Sequence, residues 1–373
     1  MTPLLFTPLA LRGLTLSNRI MVSPMCMYSA VDGLPTSWHR THLGTLSMSG
    51  AGILMLEATG VEARGRITLD CLGLYNDQQE EALARIVEEL KQDSDIAIGI
   101  QLGHSGRKGS RIVTMPRGSR PLTDAEGGWQ GVAPSAIAYD DGWIVPHALD
   151  RDGLAAVREA FVASARRADR AGFDLIEVHA GHGYLLHAFR SPNSNRRDDE
   201  YGGSPEKRGR FPLEVMQSIR GVLDAAKPLG MRVNGADWHE DGVTLDDTVA
   251  FAKALKTVGV DYVTTSGGAG SPQINPPPVT PGYMVDFAEA VKTGSGITTV
   301  AVGMILNGRQ AEAILSGGRA DMVAVGRGFL DDPRWAFHAA AELGHQLPYP
   351  TQYSKADPRS WRGYRIVHHA ANT

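Results

Sequence analysis

MRVNGADWHEDGVTLDDTVAFAKALKTVGVDYVTTS, residues 231–266, decides the fold. A short apolar run, Met231–Asp237, crosses a polar turn into a helical pattern, Leu245–Val258, and the chain then returns to a β-branched run, Tyr262–Ser266. Strand, helix and strand at that spacing form a βαβ unit with parallel strands. Outward from it the alternation continues. Further strands are predicted at Arg19–Ser23, Ile53–Ala58, Ile96–Leu102, Asp174–His179, Thr298–Val302 and Met322–Gly326. Helical patterns lie between them at Thr36–Ser49, Gln78–Gln92, Leu154–Ala171, Pro205–Ala226, Pro281–Thr293, Asn307–Ser316 and Pro333–Leu343. The strands are near-continuous apolar runs, as parallel strands buried on both faces must be. Eight strands, each followed by a helix, close into an α/β fold of the (β/α)8 barrel type. A doubly wound open sheet is disfavoured, because no G-x-G-x-x-G follows the first strand.

No repeat, low-complexity tract or linker divides the chain. It is read as one barrel domain over residues 1–373, with about 345–373 a C-terminal tail available to a subunit interface. Two connections are unusually long. They follow strand three (Gly103–Asp152) and strand four (Ala180–Ser204), and so lie on the face where barrel enzymes build their sites. The 37 basic and 41 acidic side chains leave a net charge of -4, which excludes a polybasic nucleic-acid binder. Hydrophobic and charged fractions of 42% and 21% exclude a disordered or fibrous chain. Only Cys26 and Cys71 occur, which suits a reducing compartment rather than a disulfide framework. The N-terminal MTPLLFTPLALRG lacks a basic leader, and no apolar run is long enough to span a bilayer. A soluble, cytoplasmic protein without membrane partners is expected.

The strand ends gather a site's worth of polar groups. Ser23, Pro24, Met25 and Cys26 follow strand one, and Ala58 and Thr59 end strand two. Gln101 and His104 mark strand three, His179 and His182 strand four, and Arg232 strand five. Ser266 closes strand six, Gly303 follows seven, and Gly326 and Arg327 follow eight. Glycines and an arginine after the last two strands form the usual barrel phosphate site, where backbone N–H groups and a guanidinium meet the anion. His179 and His182 leave a strand end without an H-E-x-x-H motif or a completing carboxylate, so no metal is expected. With Tyr184 they are read as hydrogen-bond donors and a proton source. His39 and His42 are read as packing or capping residues, Arg196–Glu200 as an internally paired loop, and Trp129 and Trp143 as loop packing or a pocket cover.

SPMCMY at Ser23–Tyr28, LEATG at Leu56–Gly60, QLGHSGRK at Gln101–Lys108 and the long block Glu177–Phe211 resemble the Old Yellow Enzyme family. MRV at Met231–Val233 and AVGRGFLDDP at Ala324–Pro333 agree with it over essentially the whole chain. The Cys26/Tyr28 pair and Pro350–Tyr353 resemble its thermophilic-like branch. The resemblance implies an FMN-dependent oxidoreductase that takes hydride from NADPH or NADH and reduces an electron-poor alkene. A flavin that stores hydride gathers negative charge near N1 and O2, which calls for a fixed cation, Arg232. Gln101 would meet the pyrimidine edge, with Ser23, Pro24, Met25, Ala58 and Ser266 around the ring and Gly303, Gly326 and Arg327 on the phosphate. His179 and His182 would hold the substrate carbonyl, Tyr184 would protonate the α-carbon, and Tyr28 would line the pocket. Taken alone, Cys26 reads as a small buried hydrophobe; the resemblance places it beside the flavin.

The resemblance further implies a homodimer or homotetramer in which a tail arginine reaches the neighbouring site. Lys355 stands at that position, so the charge is kept but the planar fork is lost, and Arg359 and Arg362 follow closely. Two other functions stay open: a flavin-binding redox sensor acting through Cys26, and a dienoyl-CoA reductase, which is expected to carry a C-terminal cysteine cluster that is missing after Cys71.

Overall fold

The computed structural model describes residues 2–114, 118–364 and 366. Eight parallel strands close a barrel: β1 (Ile20–Val22), β2 (Ile53–Gly60), β3 (Ala97–Gly103), β4 (Leu175–Ala180), β5 (Leu229–Asn234), β6 (Tyr262–Ser266), β7 (Thr298–Ala301) and β8 (Met322–Val325). Neighbours in sequence are neighbours in space, and β8 pairs with β1. Around them run α1 (Ser37–Ser47), α2 (Asp77–Asp93), α3 (Arg151–Arg170), α4 (Leu185–Arg190), α5 (Pro205–Arg220), α6 (Leu245–Thr257), α7 (Val285–Ser295), α8 (Gly308–Ser316), α9 (Arg327–Asp331) and α10 (Trp335–Glu342). None of the described helices is long and apolar enough to cross a membrane.

Local chemistry moves several boundaries from their predicted places. Asp150 caps α3 by accepting from the Gly153 N–H at 2.8 Å, so the helix begins three residues before the expected Leu154. Gly282 at φ +80° turns the chain after Pro281 and delays α7 to Val285. The predicted helix over Pro205–Ala226 stops at Arg220, and β5 stops at Asn234 rather than Asp237. His39 does serve as a cap: Thr36 N–H donates to its Nδ1 at 3.0 Å.

Met21, Ile53, Met55, Leu175, Tyr262, Val300 and Met322 fill the barrel. A β-carbon on Gly230 would fall 2.1 Å from the Tyr262 ring, so only glycine admits that ring. An antiparallel hairpin, Leu9–Leu11 with Leu14–Leu16, was not foreseen; its Leu11 and Leu16 join this core. A second unforeseen hairpin, Arg111–Thr114 with Gly118–Pro121, stands in the long connection after β3. Between Leu56 and Ala58 the β2–β3 register slips by one residue, and this bulge at Glu57 sets Ala58 opposite Gln101. Glu57, itself buried, accepts from the Met27 N–H at 3.1 Å and so ties the segment after β1 to β2.

Candidate active site

The floor of the barrel mouth is built around one buried acid that the sequence reading overlooked. Glu177 on β4 is fully buried; it accepts from Gln101 Nε2 at 2.7 Å and from Thr264 Oγ1 at 2.6 Å. Burial raises its carboxyl above the usual range, against the opposing pull of Arg232. Arg232 on β5 loses basicity to desolvation, while Glu177 restores part of it. Among the described residues only long contacts, 3.4 Å to Ser23 Oγ and 3.4 Å to Ser266 Oγ, engage its terminal nitrogens, and its buried Nε has no partner. A buried guanidinium so thinly satisfied is suited to a polar group of a ligand. A glutamate inside the apolar run LIEVHA is the sequence signal that could have revealed this pairing.

Above this floor, β4 ends in a loop that carries both histidines and the tyrosine. His182 and Gly183 take positive φ, +57° and +78°, which turns the chain sharply across the mouth. The hydrogen bonds fix the imidazole tautomers. Gly181 N–H donates to His179 Nδ1 at 3.2 Å, so the proton of neutral His179 sits on Nε2 and is given to His182 Nδ1 at 3.2 Å. His182 Nε2 then donates to Ser266 Oγ at 2.8 Å. Burial, reinforced by Arg232, holds both histidines well below the ordinary histidine pKa, so they are neutral donors at neutral pH. The rings of His179 and Tyr184 meet edge to face at 5.0 Å.

A network that the sequence reading also missed holds this loop. His182 N–H donates to Asn234 Oδ1 at 2.9 Å, and Asn234 Nδ2 donates to Asp237 Oδ1 at 3.1 Å. Gly183 N–H donates to His187 Nδ1 at 3.0 Å, which puts the His187 proton on Nε2 facing Asp237 Oδ1 at 2.7 Å. Lys108 Nζ closes the frame by donating to the carbonyls of His182 at 2.6 Å and Ala269 at 2.7 Å.

Ala58, His104, His179 and Tyr184 line one narrow cavity, so residues from β2, β3 and β4 do converge. Tyr28, at φ +48°, lines a second cavity together with Arg111. Burial raises the phenols of Tyr28 and Tyr184, and it raises the Cys26 thiol well above its usual value, with Glu57 adding to the effect. At the other end, Gly303 takes φ +106°, and a β-carbon on Gly326 would touch Met25 Sδ at 3.4 Å, which brings the ends of β1 and β8 together. Arg327 is exposed and forms no ion pair among the described residues, leaving its fork free for an anion.

Two groups of expected residues lie elsewhere. Lys355 sits exposed on the 3-10 turn Thr351–Ala356 and makes no hydrogen bond or ion pair with the mouth residues of its own chain. Arg359 is paired with Asp357 at 2.7 Å. Trp129 ties the long loop to the connection after β2, its Nε1 donating to Arg64 O at 2.9 Å, and Trp143 meets Tyr139 edge on at 4.9 Å. Arg197 bonds Asp199 at 2.6 Å, as an internally paired loop requires.

Residues 4–346 match the model of the NADH:flavin oxidoreductase / NADH oxidase family. The chain is 43% identical over 365 residues to an NADPH dehydrogenase of Geobacillus thermodenitrificans (strain NG80-2), covering 97% of this chain and 100% of that one. It is 42% identical to an NADPH dehydrogenase of Bacillus subtilis (strain 168), covering 94% and 98% respectively. Among solved structures it superposes on morphinone reductase with a TM-score of 0.75 at 28% identity, covering 96% of this chain and 93% of that one. Fold, mouth and kinship agree: the chain belongs to the NADH:flavin oxidoreductase / NADH oxidase family and is an FMN- and nicotinamide-dependent oxidoreductase of the Old Yellow Enzyme type.

Proposed function

We propose that this oxidoreductase is an ene-reductase that uses NADPH or NADH to saturate the C=C bond of electron-poor alkenes such as α,β-unsaturated carbonyls. The neutral His179–His182 pair, packed against Tyr184 above a thinly satisfied Arg232, carries the reading. FMN, when bound, would supply the hydride chemistry between the nicotinamide and the β-carbon of the alkene. Arg232, Gln101, Ser23, Pro24, Met25, Cys26, Ala58 and Ser266 would hold its ring system, and Gly303, Gly326 and Arg327 its phosphate. His179 Nε2–H and His182 Nε2–H turn from their present acceptors to the substrate's carbonyl oxygen, where charge gathers as the hydride arrives. Tyr184 gives its phenolic proton to the α-carbon, so one hydride and one proton are added across the double bond. Tyr28 walls the pocket.

Burial opposes ionisation of the Cys26 thiol, which counts against its acting as a redox sensor. Lys355 fits a substrate role only in a neighbouring chain's mouth, within a homodimer or homotetramer. A cytoplasmic location accompanies this reading.

The test is anaerobic. The protein reduced with NADPH is mixed with 2-cyclohexenone, and the saturated ketone is expected together with return of the yellow colour. Reoxidation by oxygen alone, with no saturated ketone, would sink the proposal. Arg232→Met is expected to keep the fold yet lower the flavin's reduction potential and slow its reduction by NADPH, because the cation that balances the stored negative charge is gone. Spectroelectrochemistry reads this directly; an unchanged potential with full flavin content would assign Arg232 a structural part.

A further inference from the structure

The hairpin Arg111–Thr114 with Gly118–Pro121 brings a cation to the substrate side of the mouth. Arg111 Nη2 approaches Tyr184 Oη at 3.4 Å, its Nη1 approaches Ser119 Oγ at 3.3 Å, and its buried Nε has no partner among the described residues. No carboxylate forms an ion pair with it among the described residues. Its neighbours differ. Arg107 donates to the carbonyls of Gly270, Ile137 and Ala138, and Lys108 to those of His182 and Ala269. Arg111 alone of the three is half-buried with only long side-chain contacts, and it lines a cavity of about 420 Å³ that Tyr28 also lines. Two acids stand on the same cavity. Glu126 is neutralised by Arg120, at 2.6 and 2.8 Å, and the Asp70 side chain is exposed to solvent. The volume suits a small organic molecule.

We propose that Arg111 binds a carboxylate on the substrate, so that the preferred alkenes are unsaturated carbonyl compounds carrying an ionised acid group on or near the reacting C=C. This rests on the ene-reductase reading and narrows its substrate class. A guanidinium offers a carboxylate two parallel donors, and in a half-buried cavity such a bond is strong. Its 3.4 Å approach to Tyr184 Oη places that carboxylate within reach of the alkene whose α-carbon Tyr184 faces.

The test compares 4-oxopent-2-enoate with its methyl ester, the same enone without the charge. In Arg111→Gln the ratio of kcat/KM for acid over ester is expected to fall by about 10- to 100-fold, the worth of a charge-assisted hydrogen bond. Arg111→Lys is expected to recover part of that ratio. An equal fall for acid and ester would overturn the proposal and make Arg111 a support for Tyr184. A rise confined to the KM for NADPH would overturn it too, because the guanidinium would then serve the nicotinamide's phosphate. If the wild type reduces neither compound, the ene-reductase reading fails separately. Calorimetric titration with 4-oxopentanoate then judges Arg111 alone: binding at least about tenfold weaker in Arg111→Gln supports it, and equal binding overturns it.

Discussion

Replacing His179 and His182 together by alanine is expected to slow reoxidation by 2-cyclohexenone by about 10³-fold or more, each lost oxyanion donor typically costing about 10²–10³. Reduction by NADPH should suffer far less, since it places no developing oxyanion against these nitrogens. The single variants should not multiply to the double. The two rings share one hydrogen bond and act as a chain from Gly181 to Ser266, so removing either disturbs both. Protonation is the natural perturbation of the same chain. Both pKa values are lowered in the fold, so the unfolded chain takes up protons as pH falls through about 6.5 while the folded chain does not. Their contribution to stability is therefore complete above that pH and declines below it, until the native imidazoles themselves titrate. Stopped-flow traces of both half-reactions decide the catalytic claim. Equal damage to both halves would make the pair structural, and loss of wild-type activity to a chelator would revive a metal role.

The eight strands were legible because strands buried on both faces carry uninterrupted apolar runs, and the barrel rule then pointed to their carboxyl ends. Ala58, His179 and Tyr184 share a cavity there, as that rule requires, and Ser23, Arg232 and Ser266 lie together on its floor. What stayed hidden depends on partners remote in sequence. Glu177 acquires its meaning from Gln101, 76 positions earlier, and from Thr264, 87 later. Asp237 was assigned to a strand, yet the strand ends at Asn234 and Asp237 instead anchors the histidine loop through His187 and Asn234. The hairpin bearing Arg111 has short strands of mixed polarity that offer neither period, and only its return onto Tyr184, 73 positions away, gives the arginine a place. Lys355 illustrates the converse, a motif position whose proposed partner belongs to another copy of the chain.

Tyr184→Phe is expected to separate the two transfers most sharply. The phenol is buried, and burial raises its pKa above the ordinary value of about 10, so it is protonated at any working pH. Among its neighbours, Arg111 at 3.4 Å opposes that rise and favours release of the proton when the α-carbon calls for it. The phenylalanine variant keeps the ring that packs edge to face on His179 at 5.0 Å, so the histidine chain should survive. Reduction by NADPH should then continue nearly unchanged. Reoxidation by a simple cyclic enone should slow by about 10²–10⁴-fold if the tyrosine is the sole acid. A nitroalkene stabilises its own carbanion and can wait for solvent, so its reoxidation rate should fall much less and its product should carry a proton taken from water. Stopped-flow with both acceptors, comparing the variant with the wild type, distinguishes these outcomes. Equal enone rates in variant and wild type would leave Tyr184 as a wall of the pocket, with the α-proton supplied from solvent.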